Sequence, residues 1–301
     1  MSVNLEGIDV FVKVASSGSF ARTAEQLAIT RSAVGKIVAR LEERLGARLF
    51  HRTTRSLCLT SEGQIYYERC LIALRELETG ESLLESGRIE VNGKLKVSMP
   101  VLFGRYCAGP ALLSLAAQHS ELELECHFTD RVVDIINEGY DLAVRFSSSV
   151  LPANLESKHI ASQRKIACAS PAYLSSRSAP TTLSDLKQHE ALVCWHNGKI
   201  QPWQYLDENK EIISPELSWR LQFDDNQMIA DAAVRGMGIA WLPGWLVHDQ
   251  INAGALVPLL GHIPTPLFHT LAVWPASQFY PMKLKAAIDI LAEKLQWVSE
   301  F

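Results

Sequence analysis

Basic side chains recur near the N-terminus at spacings that suit the recognition of a polyanion. Arg31, Lys36 and Arg40 fall within one short segment, and each can reach a phosphate oxygen or the edge of a guanine base. Arg52 and Arg55 follow in a run of polar residues and suit a minor groove or its phosphates. These residue types predict nucleic-acid binding.

Charge is unevenly divided along the chain. Residues 1–60, which we call the head, contain nine basic and five acidic residues, a balance of +4. The rest of the chain contains 20 basic and 28 acidic residues, a balance of −8. This division indicates that the head alone meets a polyanion. Charge alone leaves open the alternative of a helix with one solvated face.

The composition is typical of a folded protein. The 301 residues suffice for two or three domains, and the 48% hydrophobic and 21% charged residues argue against disorder. No apolar run reaches the ~20 residues that a membrane helix needs. The N-terminus also lacks the basic and apolar regions of a signal peptide. We therefore expect a cytoplasmic protein without a membrane partner.

Motifs of common catalytic and metal sites do not occur in the sequence. The six cysteines are widely spaced, without a C-x-x-C pair or the spacing of zinc ligands, so we expect reduced, mostly buried thiols and no metal site. Gly236 and Gly238 do not begin a dinucleotide-binding loop, because position 241 is tryptophan. G-x-S-x-G, H-E-x-x-H and P-loop patterns are also missing. Neither an enzyme nor a bound cofactor is expected.

The basic segment belongs to a predicted helix-turn-helix. Hydrophobic spacing and capping residues predict helices over residues 4–17, 20–27 and 31–45. Their boundaries are marked by Gly18, Ser19, Thr30 and Gly46. The apolar face of the first helix is predicted to consist of Leu5, Ile8, Val12 and Ala15. The face on which the other two pack is predicted to consist of Leu27, Ile29, Val34 and Ile37.

The opposite face of the third helix is predicted to enter the major groove. Small Ser32, Ala33 and Gly35 allow close approach, while the basic side chains reach phosphates or bases. Short strands over 47–50 and 57–60 would then form a wing around residues 51–56. A solvated basic loop is the alternative for the wing.

A long helix is predicted over residues 61–86, with Thr60 as its cap. Its heptad-like seam consists of Tyr67, Cys70, Leu74, Leu77 and Leu84. We interpret it as a linker that pairs two subunits, so that two recognition helices meet a two-fold DNA site. A helix buried within one domain is the alternative. Residues 87–93 would form a hinge.

Alternating β and α patterns begin after residue 94 and predict two α/β lobes with a cleft between them. The predicted domains are the head at 1–60, the linker helix at 61–87 and an effector domain at 88–301. Lobe I covers 92–163 plus 268–301, and lobe II covers 164–267. The last strand and helix, near 269–274 and 282–297, are predicted to return to the first sheet. A helix is also predicted over 132–138.

The head resembles the DNA-binding domain of the LysR-type transcriptional regulators. The matching segments are GSF at 18–20, RSAV at 31–34, LEERLGARLFHRTTR at 41–55 and LTSEG at 59–63. Two residues depart from the family pattern: Thr23 replaces the usual alanine and Gly35 the usual serine. Gly35 costs helix stability by ~1 kcal/mol against alanine and removes a hydroxyl that could contact DNA.

The remainder is similar to the family's effector-binding domain, with its two-lobed periplasmic-binding-protein-like (type 2) fold. The matching segments are VSMPVLFG at 97–104, DLAVRF at 141–146, CASPAYL at 168–174, TTLSDLKQH at 181–189, RGMGIAWLPGWLV at 235–247 and GALVPLL at 254–260. The resemblance implies an α/β protein with an N-terminal winged helix-turn-helix and a long linker helix. It also implies a homodimer or homotetramer that regulates transcription in response to a small-molecule effector.

Candidate DNA-binding residues lie on the recognition helix, next to it and on the wing. They are Arg22, Thr30, Arg31, Ser32, Ala33, Lys36, Arg40, His51, Arg52, Thr53 and Arg55. The expected partners are double-stranded promoter DNA and the effector, and RNA polymerase is a further candidate.

Candidate effector-binding residues follow the predicted strands, where α/β proteins hold ligands. Ser98 precedes Pro100 and can cap the following helix, and the family places this position in the effector site. The full set is Ser98, Met99, Pro100, Thr129, Phe146, Ser147, Ser148, Trp195, His196 and Asp224. For Trp195 and His196 a place in the core is an equal alternative. Because a helix N-terminus attracts anions, we expect the effector to be a small organic acid.

A second hypothesis is an enzyme or solute-binding module that uses its helix-turn-helix for protein contact. The +4 balance of the head, the wing arginines and the missing catalytic motifs argue against it.

Overall fold

The computed structural model describes residues 5–52, 57–85, 91–146, 152–196, 198–277 and 280–300. By internal contacts the chain forms two compact units. The first unit consists of Met1–Glu90, Val133–Tyr140 and Ser277–Met282, and the second of Val91–Val132, Asp141–Ala276 and Lys283–Phe301.

The first unit contains the predicted winged helix-turn-helix and the long helix. Its elements are α1 (Ile8–Ser17), α2 (Phe20–Gln26), α3 (Arg31–Leu45), β1 (Phe50–Arg52), β2 (Leu57–Leu59) and α4 (Ser61–Glu85). Strands β1 and β2 are antiparallel, with Phe50 opposite Leu59. The three helices, the second wing strand and the long helix are confirmed, whereas β1 begins at Phe50 and includes His51 and Arg52, which were predicted to lie in the loop.

Capping chemistry sets the helix boundaries. The hydroxyl of Ser19 accepts a hydrogen bond from the Arg22 N–H, and that of Thr30 accepts one from the Ala33 N–H at 3.1 Å. Gly46 ends α3 in the left-handed region at φ 65°, which glycine adopts without strain. Gly7 precedes Ile8 at φ 81°, and α1 therefore begins later than residue 4.

The core of the first unit differs from the predicted faces. Phe11 and Val14 of α1 are fully buried, whereas Leu5 is 46% exposed and Ile29 is 39% exposed. The predicted places of Leu5 and Ile29 in the core are wrong. The late start of α1 removes Leu5 from the helix, and Ile29 lies in the turn. Val38 and Leu41 of α3 are buried with Val34.

The first half of α4 packs within its own unit. Cys70 is buried in the core of the head, and Tyr67 and Leu74 pack against that core. Cys70 is therefore covered by its own domain, as the alternative of a helix buried within one domain predicts, whereas the pairing role of the partly buried Tyr67 and Leu74 stays a prediction. Leu77 is 46% exposed, and the Leu84 side chain lies outside the described residues.

A close backbone approach joins α4 to the segment before the wing. The Thr60 N–H donates to the Leu49 carbonyl at 2.9 Å, and the Thr60 hydroxyl donates to the Arg48 carbonyl and accepts from the Gly63 N–H. A Cβ at Gly63 would overlap the Leu49 carbonyl oxygen. Glycine is required here by space, and the predicted cap of α4 by Thr60 is confirmed.

Glu42 joins α3 to the same segment. Its Oε1 accepts hydrogen bonds from the N–H groups of Leu49 at 2.8 Å and Phe50 at 3.2 Å. The carboxylate thus holds the start of the wing against the recognition helix with charge-assisted bonds.

Thr23, which departs from the family pattern, is fully buried between α1 and α2. Its hydroxyl lies 2.7 Å from the Ser17 hydroxyl and donates to the Lys13 carbonyl at 3.3 Å. The additional polar atom is therefore satisfied, and the fold accommodates it.

The second unit contains two sheets. The five-stranded sheet consists of β3 (Gly93–Met99), β4 (Leu122–Phe128), β5 (Leu142–Phe146), β6 (Leu155–Gln163) and β15 (Phe268–Pro275), in the order β4-β3-β5-β15-β6. The six-stranded sheet consists of β7 (Lys165–Ala169), β8 (Glu190–His196), β9 (Lys199–Ile200), β12 (Ser218–Phe223), β13 (Ile239–Pro243) and β14 (Val257–Leu259). A separate hairpin consists of β10 (Tyr205–Leu206) and β11 (Ile212–Ile213).

Helices connect these strands. They are α5 (Val101–Phe103), α6 (Gly109–Gln118), α7 (Pro171–Leu174), α8 (Asn226–Val234), α9 (Gly244–Asn252) and α10 (Met282–Lys294), with a π-helical turn at Gly104–Ala108 and 3₁₀ helices at Leu183–Gln188 and Gln296–Glu300. Strand β15 returns to lie between β5 and β6, which confirms that prediction.

Two features after residue 94 were not anticipated. Residues 132–138 form an irregular segment and a turn instead of the predicted helix, because Asp134 accepts from the Asn137 N–H and Glu138 from the Asp134 N–H. Such side-chain bonds compete with helical ones. The five-stranded sheet ends in a nine-residue strand, β6, which pairs with β15 and whose sequence has no alternating pattern.

Two glycines provide a matched test of the packing of the head. We expect Gly63→Ala to destabilise the chain by about 1–3 kcal/mol, because the added methyl group forces α4 away from Leu49. We expect Gly35→Ala to stabilise it by up to about 1 kcal/mol, since a Cβ at this position would meet no described atom within 4 Å apart from its chain neighbours and the nearby backbone of its own helix. Thermal unfolding of the two variants measures both effects, and a Gly63→Ala protein as stable as the parent would contradict the close approach.

Candidate DNA-binding surface and effector cleft

The outer face of α3 presents the predicted DNA-binding side chains together. Arg31, Ser32, Lys36 and Arg40 are exposed, and Ala33 is partly exposed. Thr30 is also exposed, and its hydroxyl accepts the capping hydrogen bond from the Ala33 N–H. Since Val34, Val38 and Leu41 are buried on the other side of α3, the helix cannot turn its basic face inward.

The wing and α2 extend this surface. Arg22 on α2 and His51 on β1 are exposed. Arg52 ends strand β1, but its side chain lies outside the described residues. Thr53 and Arg55 lie outside them entirely. The predicted minor-groove role of Arg52 and Arg55 stays a prediction.

In lobe I, the predicted cleft residues lie at one edge of the five-stranded sheet. Strands β3, β4 and β5 are parallel, so Pro100, Thr129 and Phe146 all follow carboxyl ends. The Thr129 N–H donates to the Met99 carbonyl at 2.8 Å. The Phe146 ring, 40% exposed, packs edge-on against Phe103 at 5.5 Å. Ser147 and Ser148 lie outside the described residues.

The predicted capping role of Ser98 is wrong. Ser98 is fully buried within β3, and its hydroxyl accepts a hydrogen bond from the Arg145 guanidinium at 2.8 Å. The Asp130 carboxylate instead accepts from the Val101 N–H at 3.1 Å, at the start of α5. Met99 and Pro100 are buried as well. Asp130 was missed because it follows another strand, β4, and no local spacing relates it to this helix.

In lobe II, strands β8, β12 and β13 are parallel. At their carboxyl edge Trp195 is 41% exposed, and His196 and Asp224 are exposed. The alternative that places Trp195 and His196 in the core is therefore excluded. Asp225 is occupied by its hydrogen bond from the Met228 N–H, which caps α8.

Three contacts that the sequence did not indicate join the two lobes. The Phe103 ring lies edge-on to Trp245 at 5.5 Å, and the Tyr106 hydroxyl donates to Oε1 of Gln227 at 3.1 Å. The Trp245 indole N–H donates to Oε1 of Gln163. Since Phe103 and Tyr106 follow β3 while Gln227 and Trp245 begin α8 and α9, the carboxyl edges of the two sheets face each other. This arrangement suits a ligand held between lobes.

The thiols of this domain are not activated. Burial raises the pKa of Cys107 to about 12 and that of Cys168 to about 12, so both remain protonated near neutral pH. Within the described ranges, no three His, Cys, Asp or Glu side chains come together as metal ligands could. No helix in the described part of the chain is long and apolar enough to cross a membrane.

Two family profiles together cover most of the chain. Residues 5–64 match the bacterial regulatory helix-turn-helix protein, lysR family, and residues 88–296 match the LysR substrate binding domain.

Curated relatives span almost the same length. The HTH-type transcriptional regulator CrgA of Neisseria meningitidis serogroup C is 31% identical over 98% of this chain and 98% of its own. The HTH-type transcriptional regulator DmlR of Escherichia coli is 32% identical over 96% and 94%.

Solved structures agree with these matches. The structure of CrgA, described as a LysR-type transcriptional regulator from Neisseria meningitidis, is 30% identical and has a TM-score of 0.60 over 98% of this chain and 99% of its own. A full-length OxyR variant from Pseudomonas aeruginosa, at 17% identity, shares the fold with a TM-score of 0.71 over 100% and 97%. The fold class predicted from the sequence is confirmed, and the chain belongs to the LysR family of transcriptional regulators.

Proposed function

We propose that this regulator places the exposed face of α3 in the major groove of promoter DNA and changes its promoter activity when a small organic acid enters the cleft between the lobes. The observation that supports DNA binding is the basic face of α3, which buried Val34, Val38 and Leu41 hold outward. Arg31, Lys36 and Arg40 contact phosphates or guanine edges, and Ser32 and Ala33 approach the bases.

The recognition surface works in pairs. A single head on a short site would bind weakly and without symmetry, whereas a homodimer or homotetramer presents two recognition helices to a two-fold site. Support comes from α4, where Ile65 is 64% exposed and Leu77 is 46% exposed. These apolar side chains are available to a second copy. RNA polymerase is a further partner of the promoter complex.

The effector acts by preferring one arrangement of the lobes. A ligand shifts a conformational equilibrium only by the difference between its affinities for the two states. The interlobe contacts of Phe103 with Trp245 and of Tyr106 with Gln227 are the ones that such a shift would change. The effector response of a Ser98→Ala protein would reveal whether the tie to Arg145 supports this site.

A gel-shift titration against the DNA upstream of the chain's own gene, at several salt concentrations, tests the proposal. We expect salt-sensitive binding that is tighter than binding to random DNA. The absence of salt-sensitive binding to this DNA and to genomic fragments would contradict it and favour a helix-turn-helix used for protein contact.

Removal of one recognition-helix cation should weaken binding to every sequence. We expect Lys36→Ala to reduce the slope of log affinity against log salt by about one, the loss of one phosphate contact. Lys285→Ala, which removes an exposed cation from α10, is the matched control and should leave the slope unchanged. Equal slopes in all three proteins would exclude Lys36 from the interface.

The Glu42 tether should matter for DNA affinity although it adds a negative charge to the surface. In Glu42→Ala the N–H groups of Leu49 and Phe50 lose their acceptor, at a cost of about 1–3 kcal/mol, and we expect weaker DNA binding because the wing loses its position. Glu42→Gln keeps an acceptor oxygen and should largely restore affinity.

Glu43→Ala removes the same charge from an exposed neighbour and should bind DNA at least as tightly as the parent chain. If Glu42→Ala and Glu43→Ala behaved alike in a fluorescence-anisotropy titration, the positional role of the tether would be wrong.

A further inference from the structure

A lysine lies at the ligand-facing edge of lobe II. Lys165 is the first residue of β7 and is paired with Pro243, the last residue of β13. Because β7 runs antiparallel to β13, its first residue lies at the carboxyl edge of the parallel strands. Trp195 and Asp224 follow strands at the same edge.

Among the described residues, the ammonium group of Lys165 has an aromatic neighbour and no anionic hydrogen-bond or ion-pair partner. Nζ lies 4.6 Å from the centroid of the Trp241 ring, a distance typical of a cation–π contact. Among the described residues, none accepts a hydrogen bond or forms an ion pair with this group. Burial lowers the pKa of Lys165, and the nearby Cys194 thiol raises it. The charged form of Lys165 has therefore lost hydration that its neighbours replace only in part.

The Trp241 indole carries a second unsatisfied donor. Trp241 is 5% exposed, and its Nε1 is buried without a hydrogen-bond partner among the described residues. A buried donor without an acceptor is costly. Trp203, which is 2% exposed, stacks near Trp241 with ring centroids 6.4 Å apart. The unpaired Lys165 ammonium thus lies over the Trp241 ring, whose own N–H is also unpaired among the described residues. We call the rings of Trp203 and Trp241 the aromatic floor.

The charges around this floor limit the kind of anion that fits. Burial raises the pKa of the half-buried Cys194 thiol most, Lys165 lowers it, and Asp224 and Asp225 raise it. Lys165 and both carboxylates therefore act on the same thiol. A ligand carboxylate that contacts the Lys165 ammonium gains an ion pair, whereas each further negative charge on the ligand would add repulsion from the two carboxylates, so a singly charged ligand fits better than a phosphate dianion. The aromatic floor favours an apolar or planar body.

We propose that Lys165 and Trp241 bind the carboxylate of the effector, and that the effector is a monocarboxylate with an apolar or planar body. The carboxylate pairs with the Lys165 ammonium, and the body of the ligand lies towards the indole. Lys165 acts as the residue that selects an acid over its uncharged analogue. The inference rests on the proposed effector response and names the chemistry of that same site.

The test measures thermal unfolding of the full-length protein with acetate, phenylacetate, phenylacetamide or inorganic phosphate, each against sodium chloride of equal ionic strength. We expect phenylacetate to raise the unfolding temperature saturably, as a ligand of the folded state does, and phenylacetamide and phosphate not to. In Lys165→Met the affinity for phenylacetate should fall by about tenfold or more, whereas Lys165→Arg should retain a measurable part of it.

Lys187→Met is the matched control, because Lys187 is an exposed cation of the same lobe that pairs with Glu216 at 2.6 Å. Its affinity for phenylacetate should equal that of the parent chain. If Lys165→Met fails to fold, Lys165→Gln takes its place and is compared with Lys165→Arg.

Several results would overturn the inference. They are the absence of a saturable shift with both carboxylates, an equal shift with phenylacetamide, tighter binding of phosphate, and an unchanged affinity in the Lys165→Met or Lys165→Gln protein. Gel shifts on the same preparations distinguish failure of this inference from failure of the proposed function. If the parent chain binds DNA but one of these results is obtained, only the assignment of Lys165 is wrong. If the parent chain does not bind DNA, the proposed function itself is wrong.

Discussion

The geometry of the DNA-binding unit depends on the backbone junction at Leu49. The Leu49 carbonyl accepts from the Thr60 N–H, and its N–H donates to Glu42. Gly63 leaves the space into which that carbonyl projects. One peptide segment therefore fixes α3, the wing and α4 relative to each other. This junction lies within LEERLGARLFHRTTR and LTSEG, two of the segments that carry the resemblance to the family.

Local physical signals in the sequence predicted the DNA-binding unit well. Ser19, Thr30 and Thr60 act as caps and Gly18 and Gly46 as stops, because a cap needs only atoms within a few residues. The predicted seam failed at Cys70, which the core of the head covers, for the opposite reason. Heptad spacing shows that one face of a helix is apolar, and does not show whether a domain or a second subunit covers it.

The same difference between local signals and distant partners explains which features of the effector domain were predicted. The alternation of strands and helices was sufficient to place Pro100, Thr129, Phe146, Trp195 and Asp224 at carboxyl edges. It could not show that Arg145 binds the Ser98 hydroxyl or that Asp130 caps α5, because these partners lie 47 and 29 residues away in sequence. Lys165 was missed since its position at the edge depends on β7 running antiparallel.

The proposed DNA-binding mode requires the outer face of α3 to read the major groove. Methylation interference on a bound promoter fragment tests it most directly, because methylation of guanine N7 alters the major groove and methylation of adenine N3 the minor groove. We expect N7 methylation to abolish binding at two half-sites whose centres lie about one helical turn, ~10 base pairs, or a multiple of it apart. Interference confined to adenine N3, with no effect of N7 methylation, would contradict it.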